Sequence, residues 1–135
     1  IMRSDPLFNE GNRDVGLLIL RVMLGLFMFY GHGMGKVGRL FGDDPISFAD
    51  PFGLGPTASL ALAAFAEGIC SIFVVLGLWT RWALIPLIIT MSVAFTRHMG
   101  DDFGQMEKAL FYLFGFIALF FAGPGRYSLD YWRSK

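Results

Sequence analysis

The sequence contains one cysteine, two histidines and no excess of charge of either sign. Each shortage closes off a class of function. Cys70, His32 and His98 are too few for a metal site of the Cys/His type, and two histidines alone make a poor zinc centre. Cys70 lies inside an apolar run, where a thiol behaves as a small buried hydrophobe. Eleven basic and eleven acidic residues cancel, so nothing marks a nucleic-acid partner. Charged residues make up 16% of the chain, against about 25% in an average soluble protein.

Hydrocarbon fills the gap. Hydrophobic residues are 55% of the 135 and mean hydropathy is +0.56, arranged in blocks. That is the balance of a polytopic membrane protein, and the length predicts a single membrane domain over residues 1–135. The polar MRSDPLFNEGNRD ahead of the first block gives no expectation of a cleavable signal peptide.

Four apolar blocks predict four spans, at about 15–35, 58–78, 83–98 and 106–122. Residues 1–14 read as a loop or a short surface helix. The longest connection, 37–57, is rich in Gly, Pro and Asp, and a loop of that length in so small a chain is expected to be functional or folded onto the surface. Pro86 is expected in or just after the first turn of the third span. Trp79 and Trp82 flank a tight turn, and the amphipathic tail 124–135 carries Tyr127, Tyr131 and Trp132 as interfacial anchors. The predicted fold class is all-α: an integral membrane, antiparallel four-helix bundle with one long external loop. The even topology gathers Arg3, Arg13, Arg81, Arg126, Arg133 and Lys135 on one side and only Lys36, Arg39, Arg97 and Lys108 on the other. The basic excess predicts both termini in the cytoplasm, in a bacterial inner membrane.

Charge inside such spans is costly and turns toward protein or a water-filled cavity. The first span carries Arg21, His32 and Lys36. At 100° per residue Arg21 and His32 differ by only about 20° around the helix, with Gly25 and Lys36 within about 60°. Depth estimates put Arg21 about 9 Å and Glu67 about 16 Å from the cytoplasmic edge, which predicts a buried Arg21–Glu67 ion pair. Such a pair either fixes helix register or relays protons. Nearer the external face His32, Lys36, His98 and Glu107 are expected at one height beneath the long loop. Each histidine taken singly would bond loop carbonyls; beside a carboxylate it would pass protons. Phe111, Phe114, Phe116, Phe120 and Phe121 form an aromatic stripe suited to lipid contact or packing, and also to a flat quinone ring. Glycines 25, 33, 35, 68, 77 and 115 would permit close helix approach.

The segments LLILRVMLGLFMFYGHGMGK, AAFAEGICSIFVVLGLWTRWA and EKALFYLFGFIALFFAGPGRYSLD together resemble the DoxX family, over about Leu17 to Asp130. On that resemblance Arg21, His32, Lys36, Glu67, Arg81, Glu107 and Asp130 occupy characteristic positions. The resemblance implies a four-helix integral membrane protein. It also implies association with quinone-linked sulfur oxidation or with resistance to oxidative or thiol stress, within larger membrane assemblies.

Several functions follow as expectations. The first is a quinone-reactive subunit of a respiratory or sulfur-oxidising complex. There His32, His98 and Glu107 exchange protons, while Lys36, Arg97, Glu67 and Arg21 hold the quinone or fix geometry. The second is a non-catalytic accessory subunit, in which the polar residues hold the bundle and its membrane partners together. Haem b on His32 and His98 is feasible but disfavoured, because both lie near helix ends. A transporter is disfavoured by the small room four short spans leave.

Overall fold

Asn9 starts the first helix. Its side-chain oxygen accepts from the Gly11 amide at 2.8 Å and the Asn12 amide at 3.3 Å, and Glu10 sets a negative charge in the first turn, where the helix dipole favours it. The computed structural model describes residues 9–135, and no strand occurs among them. Helix α1 runs Glu10–Leu40, α2 Pro56–Leu76, α3 Thr80–Arg97, α4 Phe103–Ala122 and α5 Leu129–Arg133. Of the segment 1–14 expected as a loop or a short surface helix, residues 1–8, with Arg3, lie outside the described residues.

The first helix runs past the expected span at both ends. Helix α1 begins five residues before Val15 and continues to Leu40, so the long connection shrinks to residues 41–55. Residues 10–14 are its first turns rather than a separate segment. Pro86 lies in the second turn of α3, an interior position that leaves one carbonyl of the preceding turn without its amide partner.

Helix α1 packs along α2, α2 against α3, α3 against α4, and α4 closes back on α1. The shared core is apolar and small-grained: Met28, Ala66, Cys70, Val74, Leu84, Leu87, Met91, Phe116 and Leu119. Three of the helices, α1, α2 and α4, are long and apolar enough to cross a membrane. Helix α3 carries Arg81 and Arg97 inside its ends. The outer surface is also apolar. Of the aromatic stripe on α4, Phe116 and Phe120 turn into the bundle, while Phe111, Phe114 and Phe121 face outward at 71%, 62% and 77% exposure. The stripe therefore divides between packing and outer surface and makes no ligand box.

A knot ties off one end of the bundle. Helix α2 stops at Gly77, whose φ of +67° is left-handed, and Trp79 follows at φ +47°. The Asp130 carboxylate reaches across from α5 to the exposed start of α3. It accepts from the Trp79 amide at 2.7 Å, the Thr80 amide at 2.9 Å and the Thr80 hydroxyl at 2.7 Å. The Asp130 amide in turn donates to the Gly77 carbonyl at 2.8 Å. A Cβ on Gly77 would fall on Ser128, so glycine serves both the turn and the close approach.

Candidate functional site

Arg21 does not meet Glu67. It is 1% exposed, and its guanidinium donates to backbone carbonyls instead: Val75 at 3.3 and 3.4 Å, Tyr127 at 2.7 Å, and Pro124. Val75 lies in the last turn of α2 and Pro124 follows α4, so these are carbonyls that helix termini leave without amide partners. The same C-terminal ends carry partial negative charge, which suits a cation. The depth estimate failed because α1 extends beyond the level where α2 and α4 stop. Arg21 therefore sits at the end of the bundle, not within its hydrocarbon middle.

Glu67 pairs with Lys36. The ammonium nitrogen lies 2.9 Å from Oε2 and 3.1 Å from Oε1, and it donates its hydrogen bond to Oε1. The one ammonium thus serves both carboxylate oxygens. Glu67 is 2% exposed, and the Lys36 side chain 20%. Two irregular turns bring them together. Helix α1 widens to a π turn at Phe29–Gly33 and α2 at Phe65–Cys70, and the two turns pack on one another. A π turn closes its hydrogen bond one residue later than an α turn, which rotates everything beyond it by about 100°. That rotation turns His32 off the α2 side and brings Gly33 onto it, against Glu67 and Gly68. Gly33 is obligatory at the crossing, since a Cβ there would collide with the Glu67 carbonyl. Ser71 donates its hydroxyl to the Glu67 and Gly68 carbonyls at 2.6 and 2.9 Å, covering acceptors that the widened turn loosens.

Above the pair lies a cavity of about 530 Å³ between α2, α3 and the 41–55 connection. Lys36, Glu67, Arg97 and His98 line it, together with Phe48 and Phe52 of the connection. His98 Nδ1 is 3.0 Å from Asp101, which leaves Nε2 without that tie. Among the described residues Arg97 makes no ion pair. Lys36, Glu67, Arg97 and His98 are thus brought to one cavity, as four of the seven expected site residues.

His32 and Glu107 do not line it. The His32 ring stands edge-on to Tyr112 of α4, with centroids 5.7 Å apart. Glu107 borders a second, shallower cleft of about 400 Å³ between α1 and α4, with Lys108, Phe111 and Tyr112. The expected convergence of His32, Lys36, His98 and Glu107 is therefore split between two sides of the bundle. His32 and His98 line no common space for a haem.

Residues that carried no sequence signal of function hold the cavity's roof. The Asp50 carboxylate accepts from the Leu54 and Gly55 amides at 2.8 and 2.9 Å and from the Ser59 hydroxyl at 2.9 Å, latching the connection to the start of α2. The Gly55 amide bond, with the others, keeps this carboxyl below the usual carboxylate range. Arg39 fixes the other end, donating to the Ser47 carbonyl at 2.6 Å and lying 5.5 Å from the centre of the Phe48 ring. An Asp followed by Gly-x-Gly-Pro is the one local hint of such a latch.

A family model described as DoxX matches residues 16–99. An uncharacterized protein of Haemophilus influenzae is 33% identical over 129 residues, covering 90% of this chain and 92% of that protein. An uncharacterized membrane protein of Mycobacterium tuberculosis is 33% identical over 137 residues, covering 90% of this chain and 77% of that protein. No solved structure matches.

Proposed function

The chain belongs to the DoxX family and is an integral membrane protein, and from that premise we propose that it is a quinone-binding subunit of a membrane redox assembly. In this reading all four long helices span a bacterial inner membrane, both termini are cytoplasmic, and the cavity lies toward the external face. The observation that carries it is the Lys36–Glu67 ion pair, nearly buried, in the lining of a largely apolar cavity. A volume of about 530 Å³ falls in the usual range of about 300–1,000 Å³ for small-molecule sites.

The donor set fits a quinone head. Bound there, the quinone supplies two-electron, two-proton redox chemistry, and the partner subunits exchange the electrons. The chain's own residues hold the head and handle protons. Lys36 has ammonium hydrogens left to offer a carbonyl oxygen. The Glu67 carboxylate, held by Lys36, would accept a hydroxyl proton. His98, oriented through Nδ1 by Asp101, exchanges a proton at Nε2. Arg97 favours negative charge. His32, Glu107 and Arg21 take no direct part in this reading.

The test is occupancy. The protein purified gently into lipid nanodiscs should carry extractable quinone, and Glu67→Gln and His98→Ala should lower the quinone-to-protein ratio. A sample with no quinone at any ratio, in the unmodified protein, overturns the proposal. The competing reading, an accessory subunit, requires that the joint Lys36→Met, Glu67→Leu variant keep both assembly and turnover of the complex.

A further inference from the structure

We propose that the end of the bundle closed by α5 binds the head groups of anionic phospholipids. This surface is separate from the cavity and from whatever occupies it. Five cations of the described residues gather there: Arg13 in the first turn of α1, Arg81 at the start of α3, and Arg126, Arg133 and Lys135 in the tail. Three carboxylates accompany them, and two are already engaged. Asp130 is taken up by the Trp79 and Thr80 donors. Asp14 accepts from the Arg126 amide at 3.2 Å and lies 4.0 Å from its guanidinium. Among the described residues Arg81, Arg133 and Lys135 make no ion pair. The opposite end has the reverse balance, with the Asp43–Asp44 and Asp101–Asp102 runs outnumbering Arg39, Arg97 and Lys108. An anion is therefore favoured at one end only.

The three tail cations differ from ordinary surface charge in how they are held. Arg126 and Lys135 rest against the one ring of Tyr131, at 5.7 and 5.2 Å from its centre. Arg133 rests against the ring of Trp79 at 5.2 Å. A cation placed on a ring is fixed in position and still has N–H groups to donate. Two like charges on one ring also repel, and an anion beside them offsets that repulsion. Phosphate is such an anion, and arginine binds it bidentately. Depth decides which phosphate. The chain's three tryptophans, Trp79, Trp82 and Trp132, are all exposed at this end, and such rings sit at head-group level. Helices α2 and α4, each long and apolar enough to cross a membrane, both end here. Lipid head groups stand at that level in any bilayer, whereas an acidic protein partner would have to displace them.

Because every tryptophan lies at this end, intrinsic fluorescence reads it alone. The full chain is placed in nanodiscs of mixed phosphatidylcholine and phosphatidylglycerol, with brominated acyl chains on one lipid or the other. Quenching then gives the relative affinity of the two lipids around the tryptophans. The expected preference for phosphatidylglycerol is about fivefold, the factor for one basic group near an anionic surface. It should fall toward one in about 1 M salt, where charges are screened within about 3 Å. Arg133→Gln with Lys135→Gln should abolish the preference, while Lys108→Gln at the opposite end should leave it intact. Equal quenching by both lipids in the unmodified protein overturns the proposal and leaves the cations to an acidic protein partner. A preference that survives the double substitution overturns it as well. The salt titration needs no substitution, and a preference that persists in high salt is not electrostatic and also overturns the proposal.

Discussion

The two ends of the bundle treat buried charge in opposite ways. At one end Arg21 is saturated by the carbonyls of Val75, Pro124 and Tyr127, and Asp130 by the Trp79 and Thr80 donors. At the other, Glu67 is held by one side chain, Lys36, beside a cavity, on two turns of widened helix. A charge that is fully bonded to backbone holds the chain together. A charge held by a single movable side chain next to space can exchange that partner for a ligand. The distinction is not depth or residue type. It is whether fixed backbone or a movable side chain supplies the partners.

The comparison is broken most sharply at the saturated end. Arg21→Met leaves three carbonyls and a tightly packed site without their donor, at about 1.5–3 kcal/mol for each charged hydrogen bond lost. Allowing for relaxation, the expected loss is on the order of 3–5 kcal/mol, read as a large drop in thermal midpoint in detergent. An unchanged midpoint would show that Arg21 is not a clamp. Asp130→Asn is next, at about 1–2 kcal/mol, the usual cost of weakening a helix cap.

Asp130 also sets an acid limb. Desolvation alone would raise its pKa, but the Thr80 and Trp79 hydrogen bonds and Arg133 outweigh it and hold the carboxyl below the usual carboxylate range. A carboxyl depressed on folding contributes stability above its unfolded value of about 3.9 and loses it as pH falls through the folded value. Melting curves from pH 6 down to about pH 3 should therefore be shallower in Asp130→Asn than in the unmodified protein. Equal slopes would remove Asp130 from the account.

At the open end the expected order reverses, with small effects on stability and large ones on ligand. The joint Lys36→Met, Glu67→Leu variant replaces an ion pair by apolar groups of similar size, which is commonly neutral within about 1–2 kcal/mol. Its quinone occupancy should nevertheless vanish. A variant that melts early would mean that this pair, too, is structural. Smallest of all are His32→Ala and Glu107→Gln. Both lie off the cavity, so occupancy should be unchanged, and a loss in either would restore the single convergent site expected from helical periodicity.

Much of this was legible in the residues. Apolar blocks located the helices to within a turn at most ends, because burial in lipid or core leaves a compositional mark. Lys36, Glu67, Arg97 and His98 stood out because ionisable groups in such blocks are rare. Their partners did not. Angles computed at 100° per residue assume an unbroken α-helix, and FYGHG and FAEGIC carry no sign that the helix widens there. The Asp50 latch escaped notice because acidic residues in a loop ordinarily face water. The chain's composition by itself determined a helical membrane protein and which side chains are out of place in one. Only the tertiary structure decided which of them meet. Pairing depends on helix phase and on where neighbouring helices end, and both are set by packing at Gly33, Gly77 and the tail, far along the chain from the charges themselves.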